Sequence, residues 1–311
     1  MRCLVVQPID PAGTALLREA GVAVDTAPDT RIETLTPYLL HADAVITRNW
    51  GFPAEAMALA PRLRVIGSHG TGVDRIDVAG ARARGISVVN TPGANAADVA
   101  ELALGLALAL ARGLRDADGA VRAGDEGWRL RHRGRALGGR CLGLWGYGAV
   151  ARALAPMAQG LGMKVVALSA HASPADLARD GVAAAKDAAE LLSVADVLSL
   201  HGLPGARPLL DAAALATLRP GALIVNTARG ALVDEDALVR ALEGGHLGGA
   251  ALDVTRREPL PADSPLLGAP RLILTPHVGG TTDRGLRRTA LAVARAVLAG
   301  LGIAPPAGFG T

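Results

Sequence analysis

The chain has 311 residues, 50% of them hydrophobic and 20% charged, with a formal net charge of +3. A chain of this length forms one or two domains that bury about three quarters of the unfolded surface, and the apolar fraction excludes a disordered protein. The most apolar stretch, Leu102 to Ala111, stops at Arg112, far short of the roughly 18 apolar residues of a membrane helix, and MRCLVVQPID is too short an apolar run for a signal peptide, so a cytoplasmic globular protein is expected.

In chain order, residues 3–7 read as a strand and Pro11 to Ala20 as a helix. Strand-like runs follow at 22–26, 44–47, 63–68 and 86–90, each bounded by Gly, Pro or Asp and most followed by helix-favouring sequence. A long helix is expected from near Asn95 to about Leu114, with Asn or Asp as its cap. After a basic stretch a second series begins: strand 141–145, helix 149–161, then strands at 164–168, 196–200, 222–226, 249–253 and 271–275. A last helix covers roughly 283–300. The apolar runs are continuous rather than alternating, which indicates strands covered on both faces, as in parallel sheets. Two consecutive α/β series predict two domains bridged by the 95–114 helix, and the final helix can return to the first.

The core material is unusual. Tyr38, Trp50, Phe52, Trp128, Trp145, Tyr147 and Phe309 are the only aromatic residues, so Ala, Leu and Val must fill the interior. Such small side chains suit layered α/β packing better than a β-sandwich. Cys3 and Cys141 fall in strand-like runs and read as two buried thiols; no metal site is expected, because ligand spacing is missing. Lys164 and Lys186 are the only lysines, and the arginines cluster once, in Arg129, Arg131, Arg133, Arg135 and Arg140 with His132 among them. Nucleic-acid binding would require a reading element and interleaved aromatics, which this run lacks beside its lone Trp128. It reads as a solvated loop or as a contact to an anionic substrate or cofactor.

The strongest local signal is Gly146-Tyr147-Gly148-Ala149-Val150-Ala151, directly after CLGLW and directly before an apolar helix. In that setting the first glycine permits a tight turn, the second admits a pyrophosphate to the backbone, and the small third residue lets helix and strand pack closely. The helix N-terminus then offers unpaired N–H groups to phosphate. An acid normally holds the adenosine ribose about 20 residues further on. Here KVVAL ends at Ser169-Ala170-His171 with no acid. Ser169 and His171 can donate to a 2′-phosphate and Arg152 lies on the preceding helix, so both NAD and NADP remain open as cofactors.

Hydride transfer to a keto acid needs a cation for the carboxylate, a proton donor for the carbonyl oxygen, and a group that tunes the donor. NTARG places Arg229 beyond one strand, LDVTRREPL places Glu258 in the loop after the next, and LTPHVGG places His277 beyond the last. A glutamate beside a histidine stabilises the imidazolium. Singly these residues read as a surface arginine, a solvated acid and a capping histidine; their positions after three strands of one nucleotide-binding series link them.

The set GYGAVA, NTARG, the Asp253-to-Pro259 segment and TPHVGG resembles the D-isomer-specific 2-hydroxyacid dehydrogenases, most closely those of the phosphoglycerate dehydrogenase and glyoxylate/hydroxypyruvate reductase type. GTGVDRID at 70–77 and NTPGANAADVAEL at 90–102 extend the similarity over the whole chain. The resemblance implies two Rossmann-like, doubly wound parallel-sheet α/β domains with a cleft between them. Residues 1–94 plus 283–311 would form a flavodoxin-like substrate-binding domain, and 95–282 an NAD(P)-binding Rossmann domain carrying a homodimer interface. Arg229 would bind the carboxylate and polarise the carbonyl, His277 would exchange the proton and Glu258 would pair with it. Asp253 would hold the nicotinamide carboxamide. Gly146, Gly148, Ala149, Val150, Ser169, Pro204, Ala228, Gly279 and Thr71 fall at other cofactor positions. Arg48, with Ser68, His69 and Gly70, falls where substrate anions are held. The chain ends near 311, so the regulatory domains appended to many phosphoglycerate dehydrogenases are not expected. No nucleic-acid or membrane partner is expected. A second reading is a non-catalytic NAD-sensing scaffold, since certain transcriptional corepressors resemble this fold.

Overall fold

Short apolar strands alternate with helices throughout residues 1–306, the part described by the computed structural model; residues 307–311, including Phe309, lie outside the described residues. The chain divides into two compact units, Met1–Asn95 with the stretch from Gly280 onward, and Ala96–Gly279. Asn95 and residues 280–282 thus go with the first unit.

The first unit runs β1 (Arg2–Val5), α1 (Pro11–Glu19), β2 (Ala23–Thr26), α2 (Ile32–Leu39), β3 (Ala44–Thr47), α3 (Ala54–Ala58), β4 (Val65–Ser68), α4 (Val78–Ala83) and β5 (Ser87–Val89). Its strands pair in parallel in the order β2-β1-β3-β4-β5, the flavodoxin-like order, whose direction reverses between β1 and β3. Successive residues of a strand face opposite sides, and both sides are covered. Leu4, Val45 and Ile66 pack with Leu35, Leu39 and Met57 on one face. Cys3, Val5 and Ile46 pack with Leu16 and Leu17 of α1, and with Val293 and Val297 of the chain's last helix, on the other.

The second unit opens with α5 (Ala96–Arg112), α6 (Leu114–Arg122) and α7 (Trp128–Arg131). It continues through β6 (Cys141–Trp145), α8 (Ala149–Gly160), β7 (Lys164–Leu168), α9 (Pro174–Arg179), β8 (Ala183–Ala184), α10 (Ala188–Val194) and β9 (Val197–Leu200). Then follow α11 (Ala212–Thr217), β10 (Leu223–Asn226), α12 (Glu235–Glu243), β11 (Gly249–Leu252) and β12 (Leu272–Leu274), before α13 (Asp283–Leu301) returns to the first unit. The sheet order β12-β11-β10-β9-β6-β7-β8 is parallel throughout and is that of a Rossmann fold with one further strand, reversing between β6 and β9. Leu142, Leu144 and Val197 pack against α5 and α8 through Ala103, Leu106, Leu154 and Ala155. On the far face Leu198, Ile224 and Leu252 meet Leu191, Leu215 and Leu238.

The single helix expected over 95–114 is broken. Gly113 takes a left-handed φ of 61°, and a Cβ there would stand 2.6 Å from the His132 ring. Glycine alone combines that backbone with that neighbour, so α5 stops and α6 turns away. Part of the basic run, read as a loop, is helical in α7, where Trp128 stacks on His132 at 4.1 Å. Cys3 is buried, but Cys141 is only half-buried; both are free thiols. Among the described residues no helix is long and apolar enough to cross a membrane.

Candidate active site

In open α/β sheets the carboxyl ends of the strands beside the reversal are where ligands bind. In the second unit β6 delivers the glycine turn there. Gly146 has a φ of 98°, and its absent Cβ would lie 2.7 Å from the carbonyl carbon and oxygen of His201, on the chain leaving β9. No side chain fits at that crossing. Gly148 is the N-cap of α8, without a side-chain cap, and a Cβ on it would meet nothing within 4 Å. The uncapped first turn of a 12-residue helix, opening on free space, fits the pyrophosphate of a dinucleotide. Gly148 and Ala149 are exposed and Val150 is half-buried.

At the end of β7 the Ser169 hydroxyl oxygen accepts from the backbone N–H groups of His171 (3.2 Å) and Ala172 (2.9 Å), closing the turn. Its own proton remains to be donated. Arg152 is committed elsewhere: it pairs with Asp180 at 2.8 Å and lies 4.7 Å above the Tyr147 ring. Tyr147 also donates to Asp180, and burial together with that carboxylate pushes its phenol up to about 12. Pro204 lies in an exposed loop after β9.

Three further loops follow β10, β11 and β12. After β10, Asn226 clamps the turn from both sides: its carbonyl oxygen accepts from Ala228 N–H (3.1 Å) and its amide donates to Arg229 C=O (2.8 Å). The half-buried Arg229 donates from Nη1 to Ala228 C=O at 2.7 Å. The next residue, Gly230, touches the loop after β11 so closely that a Cβ would stand 2.0 Å from the Thr255 carbonyl carbon. Within that second loop, Glu258 Oε1 accepts from Thr255 N–H at 3.2 Å and Glu235 Oε1 from Arg256 N–H at 2.6 Å. Burial raises the Glu235 carboxyl.

Asp253, 2% exposed at the end of β11, organises the third loop. Its Oδ1 accepts from the Thr275 hydroxyl (2.6 Å) and Val278 N–H (2.8 Å), and its Oδ2 from Gly279 N–H (2.9 Å). His277 N–H donates to the Asp253 carbonyl at 2.8 Å, and the residue sits at a φ of 55°, a conformation non-glycine residues hold only when their surroundings dictate it. The result brings His277 Nδ1 to 3.1 Å from Glu258 Oε2. With Nδ1 so engaged, Nε2 is the ring nitrogen left for another partner. Asn226, Gly230, Glu235 and Thr275 were not singled out from sequence; only the Asn226 position, just before the turn, carried a local signal. Gly230→Ala is expected to force the 229–230 and 255–258 loops apart. Overpacking of this kind costs about 1–3 kcal/mol, so a melting temperature several degrees lower, with lost activity, should be seen by thermal denaturation and kinetics.

The remaining candidates lie in the first unit, at the carboxyl ends of β3 and β4. Arg48 N–H donates to the Gln7 side chain (3.1 Å) and Arg48 Nη1 to Pro8 C=O (2.9 Å), both beyond β1; burial lowers its guanidinium below the usual arginine range. The Ser68 hydroxyl donates to Gly72 C=O at 2.7 Å, and Asn90 holds Thr71 C=O at 2.6 Å, so the 68–72 turn is fixed. His69 N–H donates to Thr47 C=O at 2.8 Å. Burial, then the neighbouring Arg48, drives the His69 imidazole down to about 4, so it is neutral near pH 7. Its Nε2 is buried without a hydrogen-bond partner.

Comparison with known proteins agrees with this geometry. Residues 104–279 match the D-isomer specific 2-hydroxyacid dehydrogenase, NAD binding domain. The chain is 40% identical over 291 residues to (S)-sulfolactate dehydrogenase of Chromohalobacter salexigens, covering 92% of this chain and 93% of that one. It is 36% identical to D-3-phosphoglycerate dehydrogenase 2, chloroplastic, of Arabidopsis thaliana over 96% of its own length, but spans only 48% of that protein. Among solved structures, the TT0316 protein of Thermus thermophilus superposes with a TM-score of 0.86 at 38% identity, over 98% of this chain and 99% of that one. The chain belongs to the D-isomer specific 2-hydroxyacid dehydrogenases, oxidoreductases with an NAD-binding domain.

Proposed function

We propose that the protein reduces a small 2-keto acid to the D-2-hydroxy acid, or runs the reverse, with His277, Glu258 and Arg229 as its working residues. The observation that carries this is the His277–Glu258 pair at 3.1 Å, held by Asp253 at the carboxyl edge of a dinucleotide-type sheet. The bound nicotinamide supplies or accepts the hydride. Arg229 grips the substrate carboxylate and polarises the carbonyl. His277 holds the exchangeable proton at Nε2, and Glu258 balances the imidazolium charge through Nδ1. Asp253 serves the nicotinamide carboxamide and, through Thr275, Val278 and Gly279, keeps the histidine loop in place. The uncapped start of α8 takes the pyrophosphate. Arg48, Ser68, His69 and Gly70 serve the substrate's anionic groups, and Thr71, Pro204 and Ala228 complete the cofactor contacts. A homodimer built on the nucleotide-binding domain is the assembly the resemblance implies.

Relatives named for sulfolactate and 3-phosphoglycerate support three-carbon acids with a second anionic group as the substrate class. A panel of 2-keto acids with and without such a group, assayed with NADH and NADPH, tests the reading. Turnover of none of them would refute it.

Cofactor choice turns on Ser169. Without an acid, nothing there repels a 2′-phosphate, so NADPH should be accepted. Aspartate at 169 can accept the same two turn N–H bonds, so Ser169→Asp should fold normally and shift preference toward NADH by about 1–3 kcal/mol. Titration of both cofactors into wild type and variant decides it. A wild type preferring NADH by roughly a hundredfold, about 2.7 kcal/mol, contradicts the assignment.

A further inference from the structure

Between β10 and α12 the chain runs from the Asn226 clamp past Arg229 and Gly230 to Glu235, the first residue of α12. This segment meets the loop after β11 twice. Gly230 lies against the Thr255–Arg256 peptide with no room for a Cβ. Glu235 then bonds that same peptide: its Oε1 accepts from Arg256 N–H at 2.6 Å, a short charge-assisted bond. The preceding N–H, that of Thr255, donates to Glu258 Oε1 at 3.2 Å, while Glu258 Oε2 stands 3.1 Å from His277 Nδ1. We propose that Glu235 is the positioning residue of the pair read above as catalytic: by holding the Arg256 peptide it keeps Glu258 against His277.

The loop's own bonds set its shape and not its place. Thr255 Oγ1 donates to Arg257 C=O at 2.9 Å, and Glu258 closes back on Thr255. The bare contact at Gly230 stops the two loops from approaching further, but only an attraction stops them from parting. Glu235 supplies that attraction from a fixed base. Asp234 N–H donates to Leu210 C=O at 2.9 Å, Leu210 N–H donates to Leu232 C=O at 3.0 Å, and Ala237 and Leu238 anchor α12 in the core. The Asp234 side chain caps the helix by accepting from Ala237 N–H at 3.0 Å. The start of α12 therefore has its cap without Glu235, whose carboxylate is turned to the neighbouring loop instead.

The charged groups facing Glu235 are Asp234 and Asp236 beside it and Arg256 from the opposite loop; burial raises the carboxyl, while the Arg256 N–H and guanidinium favour its charged form. The consequence for the reaction passes through geometry. A hydrogen bond weakens steeply with distance and misalignment, and a carboxylate held beside an imidazole raises its affinity for a proton. Freeing the 255–258 loop thus lowers the proton affinity of His277 without altering the imidazole, Glu258 or Arg229.

Keto-acid reduction consumes the His277 proton, so its rate is lost as pH rises through the titration of the ring. In Glu235→Ala the basic limb of kcat should move to lower pH. At neutral pH kcat should fall roughly 10-fold, the lower end of the scale for a charged hydrogen bond, with NADH affinity at the wild-type value. Glu235→Gln keeps a carbonyl oxygen for Arg256 N–H and should retain most of the rate and the position of the limb. Asp236→Asn removes a neighbouring charge instead of the bond and should match wild type. Titration of the His277 ring by NMR, its signal assigned by loss in His277→Ala, reads the same shift without turnover: the ring should titrate at lower pH in Glu235→Ala. A lower melting temperature in Glu235→Ala with limb and ring titration unmoved would make Glu235 a helix-start residue only and overturn the proposal. So would a Glu235→Gln no better than Glu235→Ala, or an equal loss in Asp236→Asn. A shifted ring titration in a protein whose wild type turns over no keto acid would uphold the positioning and refute the catalytic reading of the pair.

Discussion

His277→Ala should lose about 100- to 10,000-fold in turnover, the usual contribution of a positioned general acid–base group, while NADH still binds with wild-type affinity. The split follows from what the side chain touches. Its ring bonds to Glu258 and its backbone to Asp253, so removing the imidazole takes away the proton at Nε2 and nothing from the glycine turn after β6. Glu258→Gln should be milder. The amide keeps the geometry but cannot balance an imidazolium, and a charged hydrogen bond of about 1.5–3 kcal/mol becomes a neutral one. Stopped-flow hydride transfer and fluorescence titration of NADH separate the two effects. Wild-type turnover in His277→Ala would remove the histidine from the mechanism.

What the sequence could and could not reveal follows from the range of the interactions concerned. Runs such as Leu142–Leu144 and Leu223–Val225 are apolar without alternation because both faces of each strand are buried, and that is visible residue by residue. The glycine turn was legible for the same local reason. The two-residue strand Ala183–Ala184 was not, being too short to carry a pattern. Nor was the break at Gly113, which depends on His132 arriving nineteen positions later. At the site, chain order places Glu258 and His277 in loops after successive strands, but their meeting depends on the three bonds the Asp253 side chain makes across to residues 275–279 and on the bare contact of Gly230 with Thr255. The arginine run shows the same limit: its composition was obvious, whereas Arg135 is seated by the Gly221 carbonyl and against Gly248, 86 and 113 positions away.

Arg229→Lys should raise the Michaelis constant for the keto acid and lower turnover, with kcat/KM reduced by roughly 10- to 100-fold, the equivalent of about 1.5–3 kcal/mol. The charge survives the substitution, so the loss isolates geometry. A guanidinium offers two parallel N–H bonds to a carboxylate, and an ammonium on a flexible stem offers a point charge. Arg229 is also oriented: Nη1 is tied to Ala228 C=O at 2.7 Å, and its own carbonyl is held by Asn226. Lysine cannot keep the first bond and still reach outward with a second, so the carboxylate and the carbonyl beside it lose their fixed position relative to His277. Folding should be unaffected, since the Asn226 clamp acts on the backbone of residues 228 and 229 and not on the side chain. NADH affinity should likewise stay at the wild-type value. Asn226→Ala makes the complementary case: it leaves the guanidinium intact but frees the turn that aims it, so kcat/KM should fall along with the melting temperature. A lysine variant with both kinetic constants unchanged would show that Arg229 does not touch the substrate.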